Sequence, residues 1–286
     1  MPHLAANLTM MFTEWPFLDR FGAAADSGFD AVELLFPYEH PIDVIVSKLT
    51  SHQLTPALFN MPPGDWKGGD RGLAALPERA VEFRASVDLA AAYAQATGVK
   101  SLHMMSGLSS RSSEAHCEAY RRAVEFALGR LAPLGVTVLL EPINSRDMPG
   151  YFLNDFSYAH AFIQRLNHPN LKLQFDIYHR QILHGDVTRA LEAMLPIIGH
   201  VQISAVPCRH EPGSGELRDD FLMDLLDRLD YRGYVGCEYR PQSGTLAGLS
   251  WAARYLRRPS RSGPAGVSNQ YATASVRPTS YWNVSR

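Results

Sequence analysis

The chain is poor in several features that would narrow its chemistry at once. It has three cysteines in 286 residues, Cys117, Cys208 and Cys237. An odd, widely spaced set carries neither a disulfide framework nor the paired spacing of a zinc ribbon. It has no excess of charge: 27 basic and 29 acidic residues leave −2, without the footprint of a nucleic-acid or anionic-membrane partner. No run approaches the roughly 18 uninterrupted apolar residues of a membrane span. The opening MPHLAANLTMMF lacks the basic start and long apolar core of a signal peptide, so a cytoplasmic location is expected. Neither GxGxxG nor GxxxxGK[ST] occurs, which removes the usual cradles for a nucleotide and argues for no organic cofactor.

What the chain does have is core material in a repeating order. Hydrophobic residues make up 46% and charged residues 20%, the balance of a soluble globular protein. Short apolar runs alternate with longer amphipathic ones, the pattern of βα units on a parallel sheet. Strands are expected at 3–8, 31–35, 55–59, 100–104, 136–141, 171–176, 200–204 and 234–238. Between them, FLDRFGAAADSG and EFRASVDLAAAYAQATG place apolar residues at helical spacing and stop at Gly28 and Gly98. Eight strands with seven crossovers favour an α/β fold closed as a single (β/α)8 TIM barrel, about 250 residues in size, over an open doubly wound sheet. One barrel domain over 1–256 is therefore expected.

The last segment breaks the rhythm. Residues 257–286 contain no acidic residue and no Leu, Ile, Met or Phe. Such a composition cannot bury a core, so it reads as a disordered basic tail. An unselected extension or altered reading frame is a plainer account of it than RNA or membrane contact.

Chemistry enters at the strand ends. The run Val136, Val138, Leu139, Leu140 is apolar enough for burial on both faces, yet it ends in Glu141, and a buried carboxylate costs several kcal/mol unless something pairs with it. The sixth strand likewise ends in Asp176, the seventh carries Gln202, and the eighth ends in Glu238. A lone acid at such a point is more often a helix cap or a solvated residue. Four in step are different, because a barrel brings the C-terminal ends of its strands to one mouth. Three like charges there repel, and a divalent cation resolves the conflict. An all-oxygen set suits Mg²⁺ or Mn²⁺ better than Zn²⁺. His179 in DIYH and Arg209 in PCRHEP stand close by. Each is either a surface residue or a substrate contact, His179 as a donor to an oxygen and Arg209 as a fork for a carboxylate. Glu33, inside the second strand, either approaches the mouth or pairs with a Lys or Arg in the barrel. FNMPPGDW reads as a turn ending in Trp66, and EPGSGE as a tight loop or lid.

The segments AANLTMMFTEWPFLDRF, GFDAVELLFPYE, PPGDWKGGDRGLAALP, EPIN, DIYHRQ, HVQI, RHEPGSGE and GCEYRPQ, in this order, resemble the hydroxypyruvate isomerase family of the xylose-isomerase-like barrels. The likeness runs from about the first residue to Trp251. It implies a metal-assisted aldose–ketose isomerisation that interconverts hydroxypyruvate and tartronate semialdehyde, and a possible homodimer. Position by position, Glu141 and Glu238 look like the acid/base pair and also metal ligands, with Asp176 and Gln202 as the remaining ligands. Phe59 stands where bacterial hydroxypyruvate isomerases carry His. AANLTMMFTE, ALFN and the RHEP motif are closer to the sister 2-oxo-tetronate isomerases, whereas EPIN and DIYHRQ lean to hydroxypyruvate. Two other readings of the mouth are an apurinic-site endonuclease, disfavoured by the missing basic groove, and a sugar-acid binder without turnover.

Overall fold

Each apolar run forms a strand in the computed structural model, which describes residues 1–257. The strands are β1 (His3–Asn7), β2 (Ala31–Leu34), β3 (Thr55–Asn60), β4 (Ser101–His103), β5 (Thr137–Leu140), β6 (Leu171–Asp176), β7 (Ile198–Ile203) and β8 (Tyr234–Cys237). All pair in parallel in sequence order, and β8 closes onto β1 with Ala5 opposite Gly236. The α/β barrel expected from periodicity is the fold observed. Closure leaves no open sheet edge, which is why strands this short suffice.

The helices are α1 (Arg20–Asp26), α2 (Ile42–Ser51), α3 (Ala80–Thr97), α4 (Glu114–Leu131), α5 (Phe156–Leu166), α6 (Ile177–His184), α7 (Val187–Met194) and α8 (Asp219–Arg228). The crossover from β6 to β7 uses two of them, α6 and α7. Gly98 ends α3 in the left-handed conformation at φ 77°, the geometry that makes Gly the usual helix stop. Asp155 caps α5 by accepting from the Tyr158 N–H at 2.6 Å. The main core lies between helices and barrel wall, where Phe21, Tyr120, Phe152, Phe156, Phe162 and Phe175 are fully buried. Among the described residues, no helix is long and apolar enough to cross a membrane.

Of the tail expected at 257–286, residues 258–286 lie outside the described part. Its first residue is fastened to the barrel: the Arg257 N–H donates to Gly28 O at 3.0 Å, and its guanidinium sits 3.0 Å from Asp30.

The barrel interior is apolar at one level and polar at the next. Ala5, Ala31 and Ala57 fill the lower level against Tyr234. Above them sits Glu33, for which approach to the mouth and a Lys or Arg partner were both open; its carboxylate meets Asn7, Gln202 and His200 instead of a Lys or Arg. Asn7 Nδ2 donates to Oε1 at 2.9 Å, Gln202 Nε2 to the same oxygen at 2.8 Å, and His200 Nε2 lies 2.8 Å from Oε2. Three partners from two other strands, Asn7 on β1 and His200 and Gln202 on β7, satisfy the carboxylate. A glycine makes the room: a Cβ on Gly236 would meet Glu33 Oε2 at 2.1 Å. Gly236→Ala is therefore expected to lower unfolding stability by about 1–3 kcal/mol, read as a lower denaturant midpoint at unchanged m-value.

Candidate active site

Chain direction decides what reaches the mouth. Glu141 follows β5, Asp176 ends β6, Glu238 follows β8, and Arg209 comes from the loop after β7. Glu141, Asp176 and Glu238 are 4%, 0% and 5% exposed. Arg209 is buried with them in a left-handed backbone conformation at φ 55°, a strained geometry that a surface charge has no need to adopt. Its Nη2 donates to Glu238 Oε2 at 2.5 Å and to Asp176 Oδ2 at 3.3 Å. Nη1 lies 3.5 Å from Asp147 Oδ2, and the guanidinium stacks 4.9 Å over the Tyr178 ring.

One guanidinium does not balance the acids around it. Burial, then the neighbouring Glu238 and Asp176, pushes the Glu141 carboxyl well above its usual range. Burial raises Glu238 to about 8 and Asp176 to about 6, both against the opposing pull of Arg209. Asp176 also caps α6, accepting from the Tyr178 N–H at 2.8 Å through Oδ1. That leaves its Oδ2 for the contact with Arg209. Glu141 Oε1 is buried with no hydrogen-bond partner among the described residues. An unpaired carboxylate oxygen beside two further acids suits a hard divalent cation. Ligand-type atoms of Glu141, Asp176 and His179 all lie within 4.8 Å of one another.

His179 belongs to this group in space, but its tautomer makes it a donor. It is buried in α6, where sequence left surface and site equally open. Asn144 Nδ2 lies 2.7 Å from His179 Nδ1, and Asn144 cannot flip, because its Oδ1 accepts from the N–H groups of Arg146 and Asp147 at 3.0 Å each. Nδ1 is thus the acceptor and Nε2 carries the proton. Burial first, then Arg209 and His103, holds the imidazole neutral, with its pKa well below the usual value. Its Nε2–H faces Asp176 Oδ2 at 3.5 Å and Glu141 Oε1 at 3.9 Å. A protonated Nε2 can donate to an oxygen but has no lone pair for a metal.

Gln202 is oriented rather than free. Its Nε2 is held by Glu33, so its Oε1 faces the other way and accepts from Gln174 Nε2 at 2.7 Å. A carbonyl oxygen has a second lone pair, so that bond still leaves it able to ligate. The loop of Glu211 to Glu216 is pinned: Gly213 N–H donates to Asp219 Oδ2 at 2.6 Å and Gln242 N–H to Glu211 Oε1 at 2.9 Å. Trp66 packs against Phe36 at 5.1 Å between ring centroids and under Arg71.

A family model for the xylose isomerase-like TIM barrel matches residues 21–258. The chain belongs to that family. Within it, the 2-oxo-tetronate isomerase of Cupriavidus necator is 51% identical over 260 residues, 90% of this chain and 100% of the relative. The hydroxypyruvate isomerase of Escherichia coli is 40% identical over 257 residues, 89% of this chain and all of the relative. A crystal structure of a Brucella melitensis protein described as an AP endonuclease of family 2 superposes with a TM-score of 0.88 at 49% identity, covering 90% of this chain and 100% of that one. The chain is an isomerase of the hydroxypyruvate isomerase type.

This xylose isomerase-like barrel also gathers residues that sequence reading passed over. Asn144 and Asp147 come from the loop after β5, and His103 ends β4 with Nδ1 3.4 Å from Glu141 Oε2. The signal for His103 was its strand position: it ends β4 opposite Leu139, two residues before Glu141, but a single imidazole in an apolar run reads as core. The raised carboxyls set a pH dependence. Asp176 moves from 3.8 to about 6 and Glu238 from 4.5 to about 8, so the folded state holds protons that the unfolded state has released. Their effect on stability is neutral below about pH 4, and stability falls as pH rises towards 8. Thermal melts of EDTA-treated protein should show Tm falling over that window, and Mn²⁺ should raise Tm most at its alkaline end.

Proposed function

We propose that this chain moves the carbonyl of a short 2-oxo sugar acid to the adjacent carbon, with a 2-oxo-tetronate as substrate and hydroxypyruvate, giving tartronate semialdehyde, as the three-carbon alternative. The observation that carries the reaction type is the pair Glu141 and Glu238. Both are buried at the mouth, and both hold a proton more tightly than an ordinary carboxyl, Glu238 up to about 8, the direction that suits a carboxyl to take and return one. The choice of the four-carbon acid over the hydroxypyruvate expected from sequence is supported by the 51% identity to a 2-oxo-tetronate isomerase, against 40% to a hydroxypyruvate isomerase.

Isomerisation requires the proton on the hydroxyl-bearing carbon to leave and a proton to arrive on the former carbonyl carbon, through an enediolate. Glu141 and Glu238 stand on either side of the Asp176 and Arg209 contact, one to remove the first proton and the other to deliver the second. The hydroxyl proton passes to the oxygen that was the carbonyl. His179 donates through Nε2–H to an oxygen that gains charge in that step. Arg209 turns its guanidinium to the substrate carboxylate, for which its planar fork is suited. A divalent cation, Mg²⁺ or Mn²⁺, held by Glu141, Asp176, Gln202 and Glu238 would supply a fixed positive charge that acidifies the C–H bond and stabilises the enediolate.

An endonuclease reading fits less well. The acids and Arg209 lie buried within the mouth, and −2 net charge gives no groove for phosphates. Glu141→Gln and Glu238→Gln should each lower kcat by about a thousandfold or more at unchanged fold, the scale of losing a proton carrier. EDTA should abolish turnover of both acids and Mg²⁺ or Mn²⁺ restore it. Full activity in either Glu→Gln variant would sink the assignment, and binding of both acids without turnover would favour the non-catalytic reading.

A further inference from the structure

The reaction proposed above uses the β5 to β8 side of the mouth and leaves two buried polar side chains on the other side without work. His103 ends β4 and Asn60 ends β3, and they are register partners, so their side chains project to the same face of the sheet. That face is the barrel interior, because His103 Nδ1 reaches to 3.4 Å from Glu141 Oε2. His103 is 1% exposed and Asn60 4%. Neither ring nitrogen of His103, nor Asn60 Oδ1, has a hydrogen-bond partner among the described residues. The contact with Glu141 is close but not aligned as a hydrogen bond. Adjacent side chains with three unmatched polar atoms, beside a reacting carboxylate, are costly to the fold unless a ligand matches them.

Their position indicates which part of a ligand that is. In an eight-stranded closed barrel, β3 and β4 lie across the mouth from β7 and β8, and Arg209 belongs to the β7 to β8 side. A sugar acid with its carboxylate at Arg209 points its other end at Asn60 and His103. A three-carbon acid has no group left over for them, since its carboxylate meets Arg209 and its two reacting oxygens meet the groups around Glu141. A four-carbon acid has one further hydroxyl, which both donates and accepts. An imidazole offers one donor and one acceptor, and Asn60 Oδ1 offers an acceptor.

We propose that His103 and Asn60 form a subsite for the terminal hydroxymethyl group of the substrate, and that this subsite makes the enzyme select four-carbon over three-carbon 2-oxo acids. The proposal rests on the isomerase reading above, and one kinetic series separates the two. Wild-type protein with Mn²⁺ is assayed on a 2-oxo-tetronate and on hydroxypyruvate, followed by His103→Leu and, as a variant that keeps hydrogen-bonding atoms, His103→Gln.

Wild type should have the higher kcat/KM on the four-carbon acid. His103→Leu should lower that value, chiefly through KM, by about tenfold or more beyond any loss of kcat/KM on hydroxypyruvate. His103→Gln should recover part of the loss, and if the Leu variant does not fold, the Gln variant decides with the same selective direction. An equal loss on both acids, no loss on either, or a wild type that prefers hydroxypyruvate overturns the subsite while leaving the isomerase reading standing. A wild type that turns over neither acid overturns the isomerase reading and the subsite with it.

Discussion

Repulsion among Glu141, Asp176 and Glu238, buried around the single guanidinium of Arg209, is the constraint to which the mouth of this barrel is built. Burial alone favours the neutral form of each acid, and their proximity favours it further. Arg209 offsets part of this through its contacts with Asp176 and Glu238, and its left-handed backbone is how the loop after β7 delivers the guanidinium there. The same imbalance raises the proton affinity of these acids, which the proposed transfer between adjacent carbons requires, and Glu141 Oε1 is left without a hydrogen-bond partner among the described residues.

That charge is held in place from beneath and from behind. Glu33 takes bonds from Asn7, Gln202 and His200, and by holding the amide nitrogen of Gln202 it decides which way that side chain's carbonyl points. Asn144, pinned by two backbone N–H groups, fixes the proton of His179 on Nε2. Asp176 spends one oxygen on the start of α6, so the strand end and the helix that follows cannot move apart without losing the other oxygen's contact with Arg209. Positioning of this kind is what keeps charged groups productive inside a protein.

The fold was legible because its signals are local and repeated. Val138 to Leu140, Leu171 to Phe175 and their counterparts are apolar runs bounded by Gly, Asn and Pro, and each became a strand at close to its expected position. The four strand-end residues were legible for the same reason: once strand direction is known, the barrel brings their ends together. For Glu33 two readings stood open, the mouth or a Lys or Arg partner, because a buried acid suggests a cation until β1 and β7 are seen to supply Asn7, His200 and Gln202. His103, Asn60 and Asn144 were not legible. Each is one polar residue in an unremarkable setting, and what distinguishes it is the identity of atoms that lie 35 or more residues away in sequence.

By itself, then, the sequence determined the number, order and direction of the βα units, and with them the acids that face a common mouth, since these follow from side-chain periodicity along the chain. Only the tertiary structure decided how those acids are surrounded: that Arg209 meets Asp176 and Glu238, that His179 Nδ1 is taken by Asn144, and that His103 and Asn60 Oδ1 stand unmatched across the mouth. Hydrogen-bond roles depend on the partner within about 3 Å, and in a closed barrel that partner comes from a strand or loop that no local pattern names.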